Sequence, residues 1–323
     1  MRIIALGTSE FVKHCISGLL DSGQKVLLLM SLRKEFRPDN SIELSEFASE
    51  QGLDYAEVED INSPESVAIM RTYTPDVIFS TWPKILKKPV FKVPRFCVIG
   101  THPTALPFNR GRHPLHWEIV LGFSESKLSF FRMDEGVDTG RILLQVPYEI
   151  RAEDIIADLV ARVNSVGYHA SRQLGQILDL GKVPEGKEQD HIKANYWRKR
   201  TRHDVTLDLR MSAEQIFRIV RSFTLPYPCV MLLFDKYILH VVNANIVPTD
   251  LSFEELQRIE PGKIIQASGC QIRVKVADGI IDLTCQSELP PDLFGKKYIH
   301  PPSKYLVEHS DIFIPYFGKN VFT

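Results

Sequence analysis

Apolar residues along the first 150 positions fall into two alternating patterns: short unbroken runs, and longer stretches at helical spacing. Arg2-Ile3-Ile4-Ala5-Leu6, closed by Gly7, is a run of the first kind and predicts a buried strand. Phe11 to Leu20 has helical spacing, and Lys25-Val26-Leu27-Leu28-Leu29-Met30 predicts a second strand. Ser41 to Gln51 predicts a helix, with Ser41 as N-cap and Gly52 as its stop. Ser63-Pro64-Glu65 opens another, with proline at the first helical position. Asp76 to Ser80 and Phe96 to Ile99 are again unbroken runs, and Leu128 to Met133 and Ile142 to Val146 predict two further strands. Asp154 to Leu180 predicts a long amphipathic helix ending at Gly181.

Strands of the fully buried kind, alternating with helices, imply βαβ units. The expected fold is α/β: an N-terminal doubly wound, mostly parallel sheet with helices on both faces. After a polar segment the pattern changes to a helix at Ser212 to Phe223 and short strands around 229–247, 263–268, 271–277 and 279–285. These predict a smaller C-terminal β-rich domain, open-barrel-like. The expected division is 1–182 for the large domain, 183–202 for a linker, 203–288 for the small domain and 289–323 for a tail rich in Pro, Tyr and Phe. The tail either seals the small domain against the large one or makes a contact in a homodimer.

Composition narrows the class. The chain has 323 residues, 44% hydrophobic and 24% charged, which suits a globular protein with two cores. With 39 basic and 40 acidic residues, nothing marks a chain built to coat nucleic acid or an anionic membrane. Five cysteines without a CxxC pair fit reduced thiols. MRIIALGTSEF is too short in its apolar run for a signal peptide, and no run approaches 18 apolar residues. The expected location is the cytoplasm.

Ligands of open α/β sheets gather outside the carboxyl ends of strands, and one strand there runs into 100-GTHPTALPFNRGRHPLHW-117. His102 follows a buried strand in a loop stiffened by Pro103 and Pro107. Asp138 lies in DEGVDTG between Gly136 and Gly140. A histidine oriented by a carboxylate is a standard general base, although spacing leaves open whether these two meet. His113 and His116, three apart, have metal-ligand spacing without a third ligand in the local pattern. There is neither a GxSxG elbow nor a GxGxxG fingerprint.

MRIIALGTSEF, GTHPTALPFNRGRHPLHW and the run from Leu128 to Gly140 together resemble the 10-formyltetrahydrofolate-dependent formyltransferases. That family includes methionyl-tRNA formyltransferase and the sugar N-formyltransferases. Its hallmark is Asn-x-His, Ser-Leu-Leu-Pro, Arg-Gly and later Asp-x-Gly. His102 matches the His, Thr104-Ala105-Leu106-Pro107 the second motif, Arg110-Gly111 the third and Asp138-Thr139-Gly140 the last. The resemblance covers about the first 180 residues closely, with a weaker match beyond. The family's Asn falls on Gly100, which has no side chain to donate; Asn109, Thr101 or a backbone N–H is the candidate substitute. Losing one such donor typically costs about 10²–10³ in rate.

The resemblance implies formylation of an amine, with His102 as base and oxyanion stabiliser and Asp138 holding its tautomer. It places the folate co-substrate beside Trp82, Ile85 and Leu86 and the loop Asp134, Gly136, Asp138, with no metal. Thr104, Arg110, Tyr196, Trp197, Arg198 and Arg200 are the expected substrate-binding residues, the basic and aromatic tract suiting a diphosphate and a base. Arg33-Lys34-Glu35-Phe36-Arg37 lacks the long Gly- and Lys-rich loop of the tRNA enzymes. The resemblance therefore implies a nucleotide-linked 4-amino-4,6-dideoxy sugar as acceptor. Methionyl-tRNA and a carrier-bound aminoacyl group stay open as acceptors, as does a silent folate-binding scaffold.

Overall fold

The computed structural model describes residues 1–178, 181–225, 227–305 and 307–309. The chain divides into two compact units. The first comprises Met1–Pro114, Ser124–Arg151 and Asp158–Arg198; the second comprises Leu115–Phe123, Ala152–Ala157 and the chain from Lys199 onward.

The first unit is built on seven strands: β1 (Arg2–Leu6), β2 (Lys25–Leu32), β3 (Asp54–Val58), β4 (Val77–Ser80), β5 (Cys97–His102) and, past a two-residue strand β6 (Arg110–Gly111), β7 (Glu125–Arg132) and β8 (Ile142–Glu149). Their spatial order is β3-β2-β1-β4-β5-β7-β8. The first five are parallel, and β7 and β8 return antiparallel. Flanking helices include α1 (Glu10–Asp21), α2 (Ser45–Glu50), α3 (Pro64–Thr72) and α4 (Lys88–Phe91). In chain order α5 (Pro114–Leu121) and α6 (Ile156–Leu178) follow. Ile3 to Leu6 of β1 are fully buried, each large side chain contributing about 1.5–3 kcal/mol. The order reverses between β1 and β4, which opens the crevice where such sheets bind ligands.

Local chemistry sets the ends of these elements. Ser63 caps α3 by accepting the Ser66 N–H at 3.1 Å, with Pro64 in the first turn as expected. The next helix back differs from expectation, because α2 begins at Ser45 rather than beside Ser41. Ile42 N–H is committed to the Thr8 carbonyl, and Glu43 Oε1 accepts the N–H groups of Leu44 and Ser45. The bond from Ser45, followed by Arg37, holds the Glu43 carboxyl down at about 2. Of the helix expected over Asp154–Leu180, positions 179 and 180 lie outside the described residues.

The expected linker is not a free connection. Ile142 and Lys187 exchange both backbone hydrogen bonds at 2.8 Å, and β9 (Tyr196–Trp197) pairs in parallel with β6. Residues 183–198 thus belong to the first unit.

The second unit carries α7 (Ala213–Arg221), capped by Ser212, and an antiparallel sheet. Its strands are β10 (Val230–Phe234), β11 (Tyr237–Val247), β12 (Ile264–Ser268), β13 (Gln271–Lys275) and β14 (Ile280–Cys285), with α8 (Phe253–Gln257) between β11 and β12. The order β10-β11-β14-β13-β12 leaves the sheet open among the described residues. Ile216 and Val220 of α7 pack with Val230, Val241, Ile281 and Leu283 into one core. Leu289, Leu293 and Ile299 of the tail join that core, and Tyr305 packs with Val205, Met231 and Leu233. The rest of the tail, 306 and 310–323, lies outside the described residues. No helix among the described residues is long and apolar enough to cross a membrane.

Candidate active site

His102 is the last residue of β5, and the loop after it is pinned from several sides. Thr104 Oγ1 donates to the Phe108 carbonyl at 2.9 Å, Ser129 Oγ to the Thr104 carbonyl at 2.6 Å, and Tyr148 to the Pro103 carbonyl at 2.8 Å. The loop then turns at Asn109 (φ 61°), a residue type that tolerates the left-handed region. Asp138 also has positive φ, 55°. Its loop is folded by Asp134, whose Oδ1 accepts from Gly136 N–H and the Thr139 hydroxyl.

These two loops bring His102 and Asp138 together. Nδ1 of the buried ring lies 3.6 Å from Asp138 Oδ2, while Nε2 is 2.9 Å from the Asn109 carbonyl. A carbonyl only accepts, so Nε2 carries the proton and Nδ1 faces the carboxylate. Asp138 Oδ2 also accepts the Gly111 N–H at 2.9 Å. A cavity of about 320 Å³ lies along the Asp138 loop, with Met133, Asp134, Thr139, Gly140, Gln189 and His191 in its walls.

Gly100 is closed off by packing. A Cβ there would stand 2.7 and 2.9 Å from Cγ and Sδ of Met133 and 3.1 Å from Phe131 Cζ. Asn109 Oδ1 accepts from Asn195 Nδ2 at 3.0 Å, and its own Nδ2 donates to no group among the described residues. Trp82, just past β4, has its indole Nε1 buried without an acceptor among the described residues. Ile85 is 70% exposed, and Leu86 is buried in the aliphatic core.

Several expected ligand residues do structural work instead. Thr104 is fully buried within its own loop. The Arg110 guanidinium is fully buried, bonded to Gln189, Tyr196 and His191. Trp197 lends its backbone to the pairing with Gly111, while Tyr196 and Arg198 are exposed. Arg200 lies in the second unit, buried over Trp117 and Phe223 and donating to Ser222 and Asp204. Such buried groups are corrections to the expectation of surface phosphate contacts. His116 also sits in the second unit, packed on Phe223 and Tyr227, its Nδ1 donating to the Ser222 carbonyl at 2.7 Å. Among the described residues no three His, Cys, Asp or Glu side chains cluster as a metal requires.

Gln189, His191, Asn195 and Met133 were not legible as site residues. The first three fall in a polar stretch with no periodicity, and the only signal in Met133 is its place just past the strand whose Phe131 pairs with Gly100.

Residues 1–173 match the family model described as formyl transferase, and residues 199–288 match its C-terminal domain. Methionyl-tRNA formyltransferase of Pseudomonas entomophila is 28% identical over 294 residues, 88% of this chain and 90% of that protein. WlaRD, a sugar 3N-formyl transferase solved with dTDP and 5-N-formyl-THF, superimposes with a TM-score of 0.65 at 16% identity, over 90% of this chain and 99% of that one. The N-formyltransferase from Helicobacter canadensis, in complex with folinic acid and dTDP-3-aminofucose, gives 0.65 at 16% identity, over 89% and 99%. The two structural likenesses speak for the fold. The sequence match over residues 1–173 carries the kinship: the chain belongs to the formyl transferase family and is a formyltransferase.

Proposed function

We propose that the enzyme transfers a formyl group from 10-formyltetrahydrofolate to the primary amine of a nucleotide-linked 4-amino-4,6-dideoxy sugar. The observation that carries this is the His102–Asp138 pair at the carboxyl end of β5, with a cavity along the loop that bears Asp138. The folate supplies an activated formyl group. Its heteroaromatic head is assigned to the region past β4, a reading supported by the Trp82 indole N–H, which has no acceptor among the described residues, and by the exposed Ile85.

As the amine adds to the formyl carbon, His102 and Asp138 take up the proton it loses, and that proton passes to the folate nitrogen when the bond to the formyl carbon breaks and tetrahydrofolate leaves. A cation on the ring would lie between the Asp138 carboxylate and the Asn109 carbonyl. The free Nδ2 of Asn109 is the donor for the charge that develops on the formyl oxygen, replacing the side chain that Gly100 lacks. Tyr196 and Arg198 are both exposed, and an aromatic ring and a guanidinium are the groups that suit the base and diphosphate of the acceptor.

Charge pairing supports a small acceptor over a tRNA. In the segment after β2, Arg33 pairs with Glu59, and Arg37 with Glu43 and Glu57. Residues 199–288 hold as many acidic as basic side chains. Neither offers the surplus of cations that a phosphate backbone selects. The name of the Pseudomonas relative favours methionyl-tRNA as the second reading.

The test is turnover with 10-formyltetrahydrofolate and UDP- or dTDP-linked 4-amino sugars or methionyl-tRNA, read by mass spectrometry beside His102→Ala. A formylated sugar nucleotide, lost by at least about 10²-fold in the variant, is the expected result. Formylated tRNA alone overturns the acceptor, and full activity in His102→Ala overturns the mechanism.

A further inference from the structure

The His102–Asp138 geometry is set by two loops that meet at one side chain. Gln189 is 4% exposed. Its Oε1 accepts from Arg110 Nη2 at 2.7 Å and Nε at 3.2 Å. Its Nε2 donates to the carbonyls of Gly140 at 2.6 Å and Asp138 at 2.9 Å. Both acceptor positions and both donor hydrogens of the amide are therefore used.

The Arg110 end reaches the reacting pair from the other side. Asn109, the residue before it, takes the His102 Nε2 proton on its carbonyl, and Gly111, the residue after it, donates its N–H to Asp138 Oδ2. Among the described residues the buried guanidinium has no carboxylate partner; beyond Gln189 it meets the Tyr196 hydroxyl at 3.0 Å and His191 Nδ1 at 3.2 Å. A buried cation held by neutral acceptors depends on each of them, and Gln189 supplies two of its bonds.

We propose that Gln189 is a positioning residue for formyl transfer, a clamp that fixes Asn109, Gly111 and Asp138 at once and so sets how His102 faces its carboxylate. The proposal rests on the reading of His102 and Asp138 as the reacting pair. Gln189 stands in the cavity wall but makes no hydrogen bond to the His102 ring or the Asp138 carboxylate; it acts through the backbone it holds.

The test uses Gln189→Met, equal in length but without hydrogen bonds, Gln189→Glu, which keeps the acceptor for Arg110 and loses the donor, and Arg110→Met. Expected for Gln189→Met is a kcat lowered about 10–100-fold with KM within about twofold, because displacements of about 1 Å cost up to ~10² in rate. The pH profile of kcat/KM is expected to move, and the His102 ring ¹⁵N resonances to shift. The double variant with Arg110→Met is expected to lose little more than the worse single variant, as residues acting in one unit do. A lowered Tm with wild-type kcat, pH profile and ring resonances overturns the proposal, as does full additivity. Should Gln189→Met not fold, Gln189→Glu is measured by the same signals: a lowered kcat with shifted resonances is expected, and wild-type values overturn the clamp. If the wild type formylates none of the amines offered, the functional reading falls separately. The ring resonances then decide the clamp: shifted in the variant, it stands; unshifted, it is overturned.

Discussion

At position 100 the question is why a strand facing the site carries no side chain. The answer is Met133, whose Cγ and Sδ fill the space within 2.9 Å of where a Cβ would sit. A thioether is unbranched and moves readily, so the exclusion is steric but adjustable. Gly100→Asn is expected to cost about 1–3 kcal/mol by overpacking, and Met133→Ala added to it to recover most of that. Thermal unfolding checks this, since about 1 kcal/mol moves Tm by roughly 2–4 °C in domains of this size. An unchanged Tm in the single variant would mean that Met133 does not occupy that space. His102 and Asp138 were legible in the sequence because their motifs are short and ordered. Gln189, which bonds the Asp138 and Gly140 carbonyls, lies far along the chain in a stretch with no pattern.

Among the elements, the two-residue strands β6 and β9 carry an importance out of proportion to their length. Arg110 N–H donates to the Asn195 carbonyl and Arg112 N–H to the Trp197 carbonyl, each at 3.0 Å. Between them Gly111 has φ 107°, and a Cβ there would lie 2.3 Å from the Trp197 carbonyl oxygen. Gly111→Ala is therefore expected to cost more than the ~1–3 kcal/mol of backbone strain alone, and to separate β6 from β9. Because Gly111 N–H also binds Asp138, formyl transfer is expected to fall at least about tenfold. A combined loss of Tm and kcat meets the expectation; retention of both refutes the pairing. No helical or alternating periodicity announces strands of two residues. The longer helices were easier to read, since their apolar spacing and caps are local; the start of α2 slipped when Glu43 outcompeted Ser41, and the short α4, α5 and α8 carried too few turns to show a period.

For the whole molecule, burial divides the five cysteines. Burial pushes the Cys15 thiol up to about 12 and those of Cys97 and Cys285 to about 11, and it raises Cys229 as well. The thiolate is the reactive form, so a raised value means less reaction at a given pH, and these four are also sterically closed. Cys270 is half-buried. At pH 8 the native protein is expected to react quickly at Cys270 alone, and at all five thiols after unfolding in guanidinium. Peptide mapping of the native adduct checks this; label at Cys15 or Cys97 on the same timescale would refute the buried placement.

The sequence by itself determined the α/β class, a second and smaller β-rich domain, most of the strands and long helices, and the motifs that mark a formyltransferase. Each of these depends on short-range periodicity, on caps, or on motifs a few residues long. Tertiary structure alone decided that residues 183–198 are part of the first unit, that Arg110 and Arg200 are buried struts, and that Met133 fills the space above Gly100. A charged side chain reads the same in sequence whether it faces water or the interior. Its partners settle the matter, and here they come from positions tens of residues away, joined only when the sheet brings its loops together.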